Sequence, residues 1–193
     1  MPRTREFEPD EALERAMELF WLKGYADTSI DELVRETGAS RYGLYATFGD
    51  KHDLFLQSLT RYAREVFGPM IAQLEASQAS LREIRAFFRS IRELVRQPGG
   101  QRGCLMCNTA VELGPFDPAS AGRVRKHFQR VRAGFAHALR NARGRGELGR
   151  SVDVAATADY LLGVAQGAFV LARSGIEGAA IERFLAIALK PVG

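Results

Sequence analysis

The stretch TSIDELVRETGASRYGLYATFGDK, Thr28 to Lys51, decides the fold. Ser29 followed three residues later by Glu32 is a reciprocal capping box, and Ile30, Leu33 and Val34 follow it at helical spacing. Gly38 supplies the left-handed residue that stops such a helix cheaply. Ser40 is a fresh N-cap for a second helix running to about Phe48. Two short helices joined by a Gly-containing turn form a helix-turn-helix, whose second helix can enter the DNA major groove.

The order Thr28-Ser29-Ile30, Gly38-Ala39-Ser40, Leu44-Tyr45-x-x-Phe48 and Lys51 resembles the N-terminal DNA-binding domain of the TetR family of bacterial transcription regulators. The resemblance implies an all-α protein of about nine helices. A three-helix helix-turn-helix domain at 1–52 and a connector helix at 51–67 would be followed by a larger ligand-binding and dimerisation domain at 68–193. It assigns Arg41, Tyr42, Gly43 and Ala46 to base edges, and Tyr45, Thr47 and Lys51 to phosphates. Arg41 has a physical claim of its own, because a guanidinium can bond both acceptors of a guanine edge. Ser40 shares the exposed side of this helix. Thr28 and Ser29 offer a hydroxyl or helix N-terminal amides to a phosphate, although capping is the simpler role of Ser29.

Bulk charge does not carry that reading. The chain of 193 residues has a formal net charge of +4. Through residue 55, however, seven Lys or Arg stand against twelve Asp or Glu, so the proposed DNA-binding part is net acidic. Cations must therefore be placed locally at the contact face. The opening MPRTREFEPDE is charged throughout and unlike a secretory leader, and two cysteines are too few for a disulfide framework; a cytoplasmic location is the expectation. Val154 to Ala172 is apolar but interrupted by Asp159 and Gln166, and reads as a packing helix, not a membrane span.

Outward from the motif, Arg3 and Arg5 form a tail that either frays or reaches a phosphate or minor groove. Leu13, Ala16, Met17, Phe20 and Trp21 repeat at helical spacing before Gly24, giving a brace for the motif with Trp21 in its core. Leu44 and Phe48 should face that brace. Asp50 caps the connector helix, which Gly68-Pro69 interrupts. No Gly/Ser-rich linker follows, so the two halves should be mechanically coupled. Ser80 to Gln97 carries an apolar face opposite Arg82, Arg85, Arg89, Arg92 and Arg96, a stripe read as a solvated face.

Arg102 to Leu113 is the most individual stretch of the second half. If it is helical, Cys104, Cys107, Asn108 and Val111 share one face. A structural zinc normally needs four ligands and no second cysteine pair exists, so no metal and no cofactor are expected. The two thiols then read either as small buried hydrophobes or, with Cys104 near a helix N-terminus that lowers thiol pKa, as a sensor of oxidants or electrophiles. The Gly-Cys-Leu-x-x-Asn-x-Ala-x-Glu run loosely resembles the regulatory domain of some TetR-family repressors, including the thiol-responsive repressor of N-ethylmaleimide reductase.

Helix faces suggest one signal pocket built from Phe88, Ile91, Cys104, Cys107, Asn108, Val111, Phe128, Val131, Tyr160 and Gln166. The last two helices, from Val154 to Leu189, are rich in small residues and can form an isologous four-helix interface. The expected function is a homodimeric transcription regulator, a repressor released from a near-palindromic double-stranded DNA operator by a small-molecule inducer or an electrophile or oxidant, with no membrane partner and no enzymatic activity. The alternatives are a thiol-based enzyme with Cys104 as nucleophile, for which no base is in evidence, and a helical interaction protein that binds no DNA.

Overall fold

The structure, a computed structural model, describes residues 7–190; Arg3 and Arg5 lie outside the described residues. Among these residues there are ten α-helices, one more than expected, and no β-strand. Helix α1 (Pro9–Lys23) starts with Pro and acidic Asp10 and Glu11 in its first turn and closes on Lys23, matching the helix dipole at both ends. Helix α2 (Ile30–Thr37) is preceded by the Ser29–Glu32 capping box and ended by Gly38 in the left-handed conformation, φ 71°. Helix α3 (Arg41–Phe48) is capped by Ser40, whose hydroxyl accepts from the Gly43 N–H at 3.1 Å. Helix α4 (Lys51–Glu65) begins with a second capping box, Asp50 with Asp53.

Leu44 and Phe48 are buried as expected. The principal packing of α3 is nevertheless against α2 and α4, while α1 packs on those same two helices. The short turns at Gly38–Ser40 and Gly49–Asp50 hold α3 against its chain neighbours, so the brace acts on it chiefly through them. Phe20 and Phe55 meet edge to face at 5.0 Å in this head.

Six helices follow: α5 (Gly68–Glu75), α6 (Leu81–Arg96), α7 (Leu105–Glu112), α8 (Pro118–Gly144), α9 (Val154–Arg173) and α10 (Gly178–Ala188), with a 3-10 turn at Gly100–Arg102 before α7. Helix α8 is the spine, packing on α4, α5, α6, α7 and α9. The Arg stripe of α6 is exposed, and Arg92 and Arg96 pair with Glu182 of α10. Helix α9 is long and apolar enough to cross a membrane by length and composition, with about 33% buried inside the fold. Its buried side, Leu161, Ala165, Ala168 and Phe169, faces the core. A single continuous apolar core runs through both halves, as mechanical coupling requires.

Several polar contacts fasten the head to the second half. The Trp21 indole N–H donates to the Gly103 carbonyl at 3.0 Å, and the Arg102 guanidinium lies 4.2 Å from the Trp21 ring centroid while pairing with Glu18. Trp21 is buried, as its spacing predicted. Arg173 of α9 donates to the Leu22 carbonyl at 3.0 Å, at the C-terminal end of α1. The Glu112 carboxylate at the end of α7 accepts from the backbone N–H groups of Tyr25 at 3.1 Å and Ala26 at 2.7 Å. These contacts converge on the turn that leads into α2.

Candidate nucleic-acid interface and signal clefts

Capping and packing leave one side of α3 open. Ser40, Arg41, Tyr42, Tyr45 and Ala46 are exposed, Gly43 and Thr47 partly so, while Leu44 and Phe48 hold the helix down. Tyr42 is 79% exposed. Two exposed tyrosines and an arginine on one short helix form a surface that no other helix covers among the described residues. Arg41 pairs with Asp31 of α2 at 2.6 Å, both side chains largely in solvent. Such a surface pair contributes little, so a nucleic-acid phosphate or base can displace Asp31 at small cost.

The flanking residues divide. Ser29 is exposed, but its hydroxyl accepts from the Glu32 N–H at 3.2 Å and donates to the Glu32 carboxylate at 2.9 Å, which is capping. Thr28 departs from the expectation. It is fully buried and its hydroxyl donates back to the Gly24 carbonyl at 2.6 Å, so it serves the α1–α2 turn and presents nothing to a phosphate. Lys51 is half-buried with its ammonium 4.3 Å from the Tyr25 ring centroid. Burial lowers its pKa, opposed by Glu112, Asp27 and Glu32. Lys23 sits 2.5 Å from Glu32 and, with the Ser29 N–H and hydroxyl, brings that carboxyl down to about 2. One carboxylate of the acidic head is thus engaged by a lysine of α1. Asp50, His52 and Asp53 bring potential ligand atoms within 4.8 Å of one another, but the two carboxylates cap α4 and His52 pairs with Asp117 at 2.7 Å.

In the second half the ten residues expected to line one pocket do not converge. Phe88, Ile91 and Val131 are core residues, and Phe88 stacks on Phe135 at 5.7 Å with an interplanar angle of 8°. Tyr160 sits at the α9–α10 contact, its hydroxyl donating to the Ala188 carbonyl at 2.8 Å. Val111 points to solvent, 79% exposed. Phe128 is half-buried against the His127 ring, and Gln166 is half-buried on α9. The helical period marks buried faces, but a buried face meets either a neighbouring helix or a cavity, and here most of it meets helices.

Two of the clefts around the second half bear on the expected residues and on the connector. One of about 540 Å³ lies between the α1–α2 turn, α7 and α9, and takes in Asp27, Cys107, Asn108, Val111, Glu112 and Arg173. Three of the expected residues meet there. The other, about 610 Å³, opens between α4, α5, α7 and α8. Its walls include Met106, His127, Arg123 and Lys126, none of which the sequence singled out. His127 was detectable in principle, since it stands between Val124 and Val131 on the inner face of α8. Burial brings its pKa down to about 4, with Arg130 adding to the effect, so the imidazole is neutral at pH 7.

Cys104 and Cys107 are both buried free thiols. Cys104 is the N-cap of α7 and not inside it. Burial opposes charge on its sulfur, but the Cys107 thiol, the Tyr62 hydroxyl and the backbone N–H groups of Cys107 and Met106 surround it and bring the net shift downward. Cys107 is pushed up, by its hydrogen bond to Cys104 first and by burial second. Tyr62 is fully buried, with its hydroxyl lacking a well-aligned hydrogen bond and the Cys104 sulfur as its main polar neighbour. The pair is therefore asymmetric, and Cys104 is the member closer to thiolate.

Comparison with known proteins bears on both halves. Residues 12–57 match the model described as "Bacterial regulatory proteins, tetR family", and residues 80–188 match that described as "Tetracyclin repressor-like, C-terminal domain". The HTH-type transcriptional repressor ComR of Escherichia coli (strain K12) is 33% identical over 187 residues, 96% of this chain and 88% of ComR. The uncharacterized HTH-type transcriptional regulator YezE of Bacillus subtilis (strain 168) is 34% identical over 162 residues, 83% of this chain and 84% of its own. Among solved structures, a cysteine mutant of the TetR family transcriptional regulator CifR complexed with 26bp double-strand operator DNA superposes with a TM-score of 0.85 at 25% identity, covering 98% of this chain and 97% of that one. The reduced form of E. coli NemR shares the fold, with a TM-score of 0.81 at 20% identity over 93% of each chain.

Proposed function

The chain belongs to the TetR family of bacterial transcription regulators, and from that premise we propose that it works as a homodimeric repressor, reading a near-palindromic operator through α3 and releasing it when a signal binds the second half. It is a DNA-binding regulator and not an enzyme. The observation that carries the reading is the exposed face of α3, where Arg41, Tyr42 and Tyr45 project from a helix anchored by Ser40, Leu44 and Phe48. CifR, which this chain superposes on through nearly its whole length, is a regulator held on operator DNA. The decisive variant is Arg41→Ala with Tyr45→Ala, which should lose operator binding while remaining folded.

Dimerisation is supported by the outer faces of α9 and α10. Tyr160, Val170 and Ile187 are 44%, 54% and 66% exposed, beside exposed or half-buried Gly163 and Gly167, which let helices approach closely. A two-fold axis through this face sets two copies of α3 on one side of the dimer, so the half-sites should lie about one DNA turn apart, roughly 34–36 Å.

The signal acts by preferring a conformation that no longer fits the operator, to the extent of its differential affinity for the two states. The asymmetry of Cys104 and Cys107 favours an electrophile or oxidant as one such signal. The Cys104 thiolate adds to the electrophilic carbon of N-ethylmaleimide, forming a C–S bond and taking a proton from water at the neighbouring carbon. The bulky adduct cannot stay inside the core at the α7 N-cap. N-ethylmaleimide should release operator from wild type and spare Cys104→Ser; equal release from both would assign the response elsewhere.

A further inference from the structure

We propose that Cys104 and Cys107 form a dithiol that a hydroperoxide converts to an intrachain disulfide, and that the buried Tyr62 hydroxyl activates Cys104 for that step. The proposal rests on the reading of Cys104 as the sensor thiol, and it names the oxidant class, the product and a third residue of that site.

A disulfide needs its two Cβ atoms ~3.5–4.5 Å apart. Residues three apart inside a regular helix hold theirs at ~5–6 Å, which is too far. Cys104 escapes that limit because it is the N-cap of α7, with extended backbone at φ −113° and ψ 125°, while Cys107 lies in the first turn of the helix. An N-cap side chain turns back over that first turn toward the backbone N–H of the third helical residue. Here that residue is Cys107, whose N–H and thiol both face the Cys104 sulfur. No imidazole or carboxylate joins the two sulfurs in a group of three among the described residues. The group placed to act on an oxidised Cys104 is therefore Cys107.

Tyr62 supplies an independent observation. Its side chain is fully buried, with the Trp21 ring edge-on at 4.9 Å and Phe67 at 5.6 Å, and its hydroxyl has no well-aligned hydrogen-bond partner among the described residues. Buried polar groups are nearly always hydrogen-bonded, so an orphaned hydroxyl calls for an explanation. The Cys104 sulfur and the Leu105 N–H face it. A neutral thiol is a weak acceptor, whereas an ionised acceptor makes the shorter and stronger bond. The phenol therefore completes its hydrogen bonding when Cys104 ionises, which favours the nucleophilic form of that sulfur.

Cys107 lines the cleft of about 540 Å³ beside Asn108 and Arg173, so a small oxidant reaches the pair from the Cys107 side. The Cys104 thiolate attacks the hydroxyl oxygen of the hydroperoxide. The O–O bond breaks, the sulfur becomes a sulfenic acid, and the alkoxide that leaves takes a proton from water. The Cys107 sulfur then attacks the Cys104 sulfur, the S–O bond breaks, and the departing hydroxide takes the Cys107 proton to form water. The dithiol has lost two electrons and the hydroperoxide has been reduced to an alcohol. No atom of the oxidant stays behind, so the product, unlike a maleimide adduct, fits the volume that the thiols already occupy.

The test treats full-length protein with hydrogen peroxide or tert-butyl hydroperoxide and weighs the tryptic peptide from Gly103 to Arg123, which holds both cysteines. Wild type should lose both free thiols and yield this peptide lighter by two hydrogens and unlinked to any other chain, and dithiothreitol should restore it. Cys107→Ser should stop at a sulfenic acid on Cys104 that dimedone traps. Cys104→Ser should consume hydroperoxide at least tenfold more slowly, with Cys104→Ala in its place if the serine alters circular dichroism. In Tyr62→Phe the pH midpoint of hydroperoxide consumption should rise, which a merely structural role would not produce. A disulfide between chains, a sulfenic or higher acid as the wild-type end product, an equal rate in Cys104→Ser, or an unmoved midpoint in Tyr62→Phe would overturn the proposal. N-Ethylmaleimide labelling of Cys104 in the same preparation separates the two failures: labelling with no disulfide sinks the dithiol alone, and no labelling sinks the sensor reading beneath it.

Discussion

Truncation of Phe88 to Ala should destabilise the chain by about 3–5 kcal/mol, the cost of removing a buried aromatic and leaving a cavity. Phe88 is fully buried, stacked on Phe135 at 5.7 Å and edge-on to Phe87 at the same distance, so ring–ring contact is lost together with burial. Val111, 79% exposed, is the contrast: Val111→Ala should change stability by less than about 0.5 kcal/mol. Urea unfolding of the two variants measures the difference. A Phe88→Ala cost below about 1 kcal/mol would mean that the ring borders an open pocket, as its helical spacing alone allowed.

Gly24→Ala should cost on the order of 3 kcal/mol, from backbone strain and from a clash with the Glu112 carboxylate. The backbone there has φ 91° and ψ 176°, a conformation that side chains rarely adopt and that costs ~1–3 kcal/mol. A Cβ at this position would also stand 2.8 Å from Glu112 Oε2, displacing the carboxylate that accepts from the Tyr25 and Ala26 N–H groups. Hydrogen bonds to an ionised acceptor contribute ~1.5–3 kcal/mol, toward the lower end at this partly exposed site. Because both changes act on the same carboxylate, Gly24→Ala should cost less in a Glu112→Ala background than in wild type. Strict additivity in that double-mutant cycle would show that Glu112 does not brace the turn.

Local chemistry was legible from the sequence and tertiary neighbourhood was not. Ser29 with Glu32, Gly38, Ser40 and Asp50 each specify a helix end within three or four residues, and the structure places the ends where those residues put them. The exposed set on α3 followed from the same periodicity, since burying Leu44 and Phe48 dictates which side is left. Thr28 was misassigned because a hydroxyl near a helix N-terminus looks available until its bond to the Gly24 carbonyl is seen. The signal pocket was beyond reach for a related reason. Phe88, Ile91 and Val131 have the spacing of an inner face, but only the placement of the neighbouring helices distinguishes a filled interior from a cleft. The basic cleft draws Arg64 from α4 and Lys126 from α8, and nothing local to either segment signals that they meet.

The charge pattern, unhelpful as a total, becomes informative once the fold is in place. The acidic head keeps Asp31 beside Arg41 and Glu32 beside Lys23. Without DNA, Arg41 is therefore engaged by an exposed carboxylate that offers little net stabilisation, which tempers non-specific attraction while leaving the guanidinium free to exchange.

The central claim is that α3 of a two-fold dimer reads the operator, and binding to DNA selected from a random pool tests it most directly. Wild type should enrich a near-palindrome and bind it with two-fold symmetric stoichiometry. Arg41→Ala with Tyr45→Ala should bind that duplex at least tenfold more weakly, since a single bidentate base contact is worth ~1–3 kcal/mol, with unchanged thermal unfolding. Enrichment of no symmetric sequence, or undiminished binding by the folded double variant, would contradict the account.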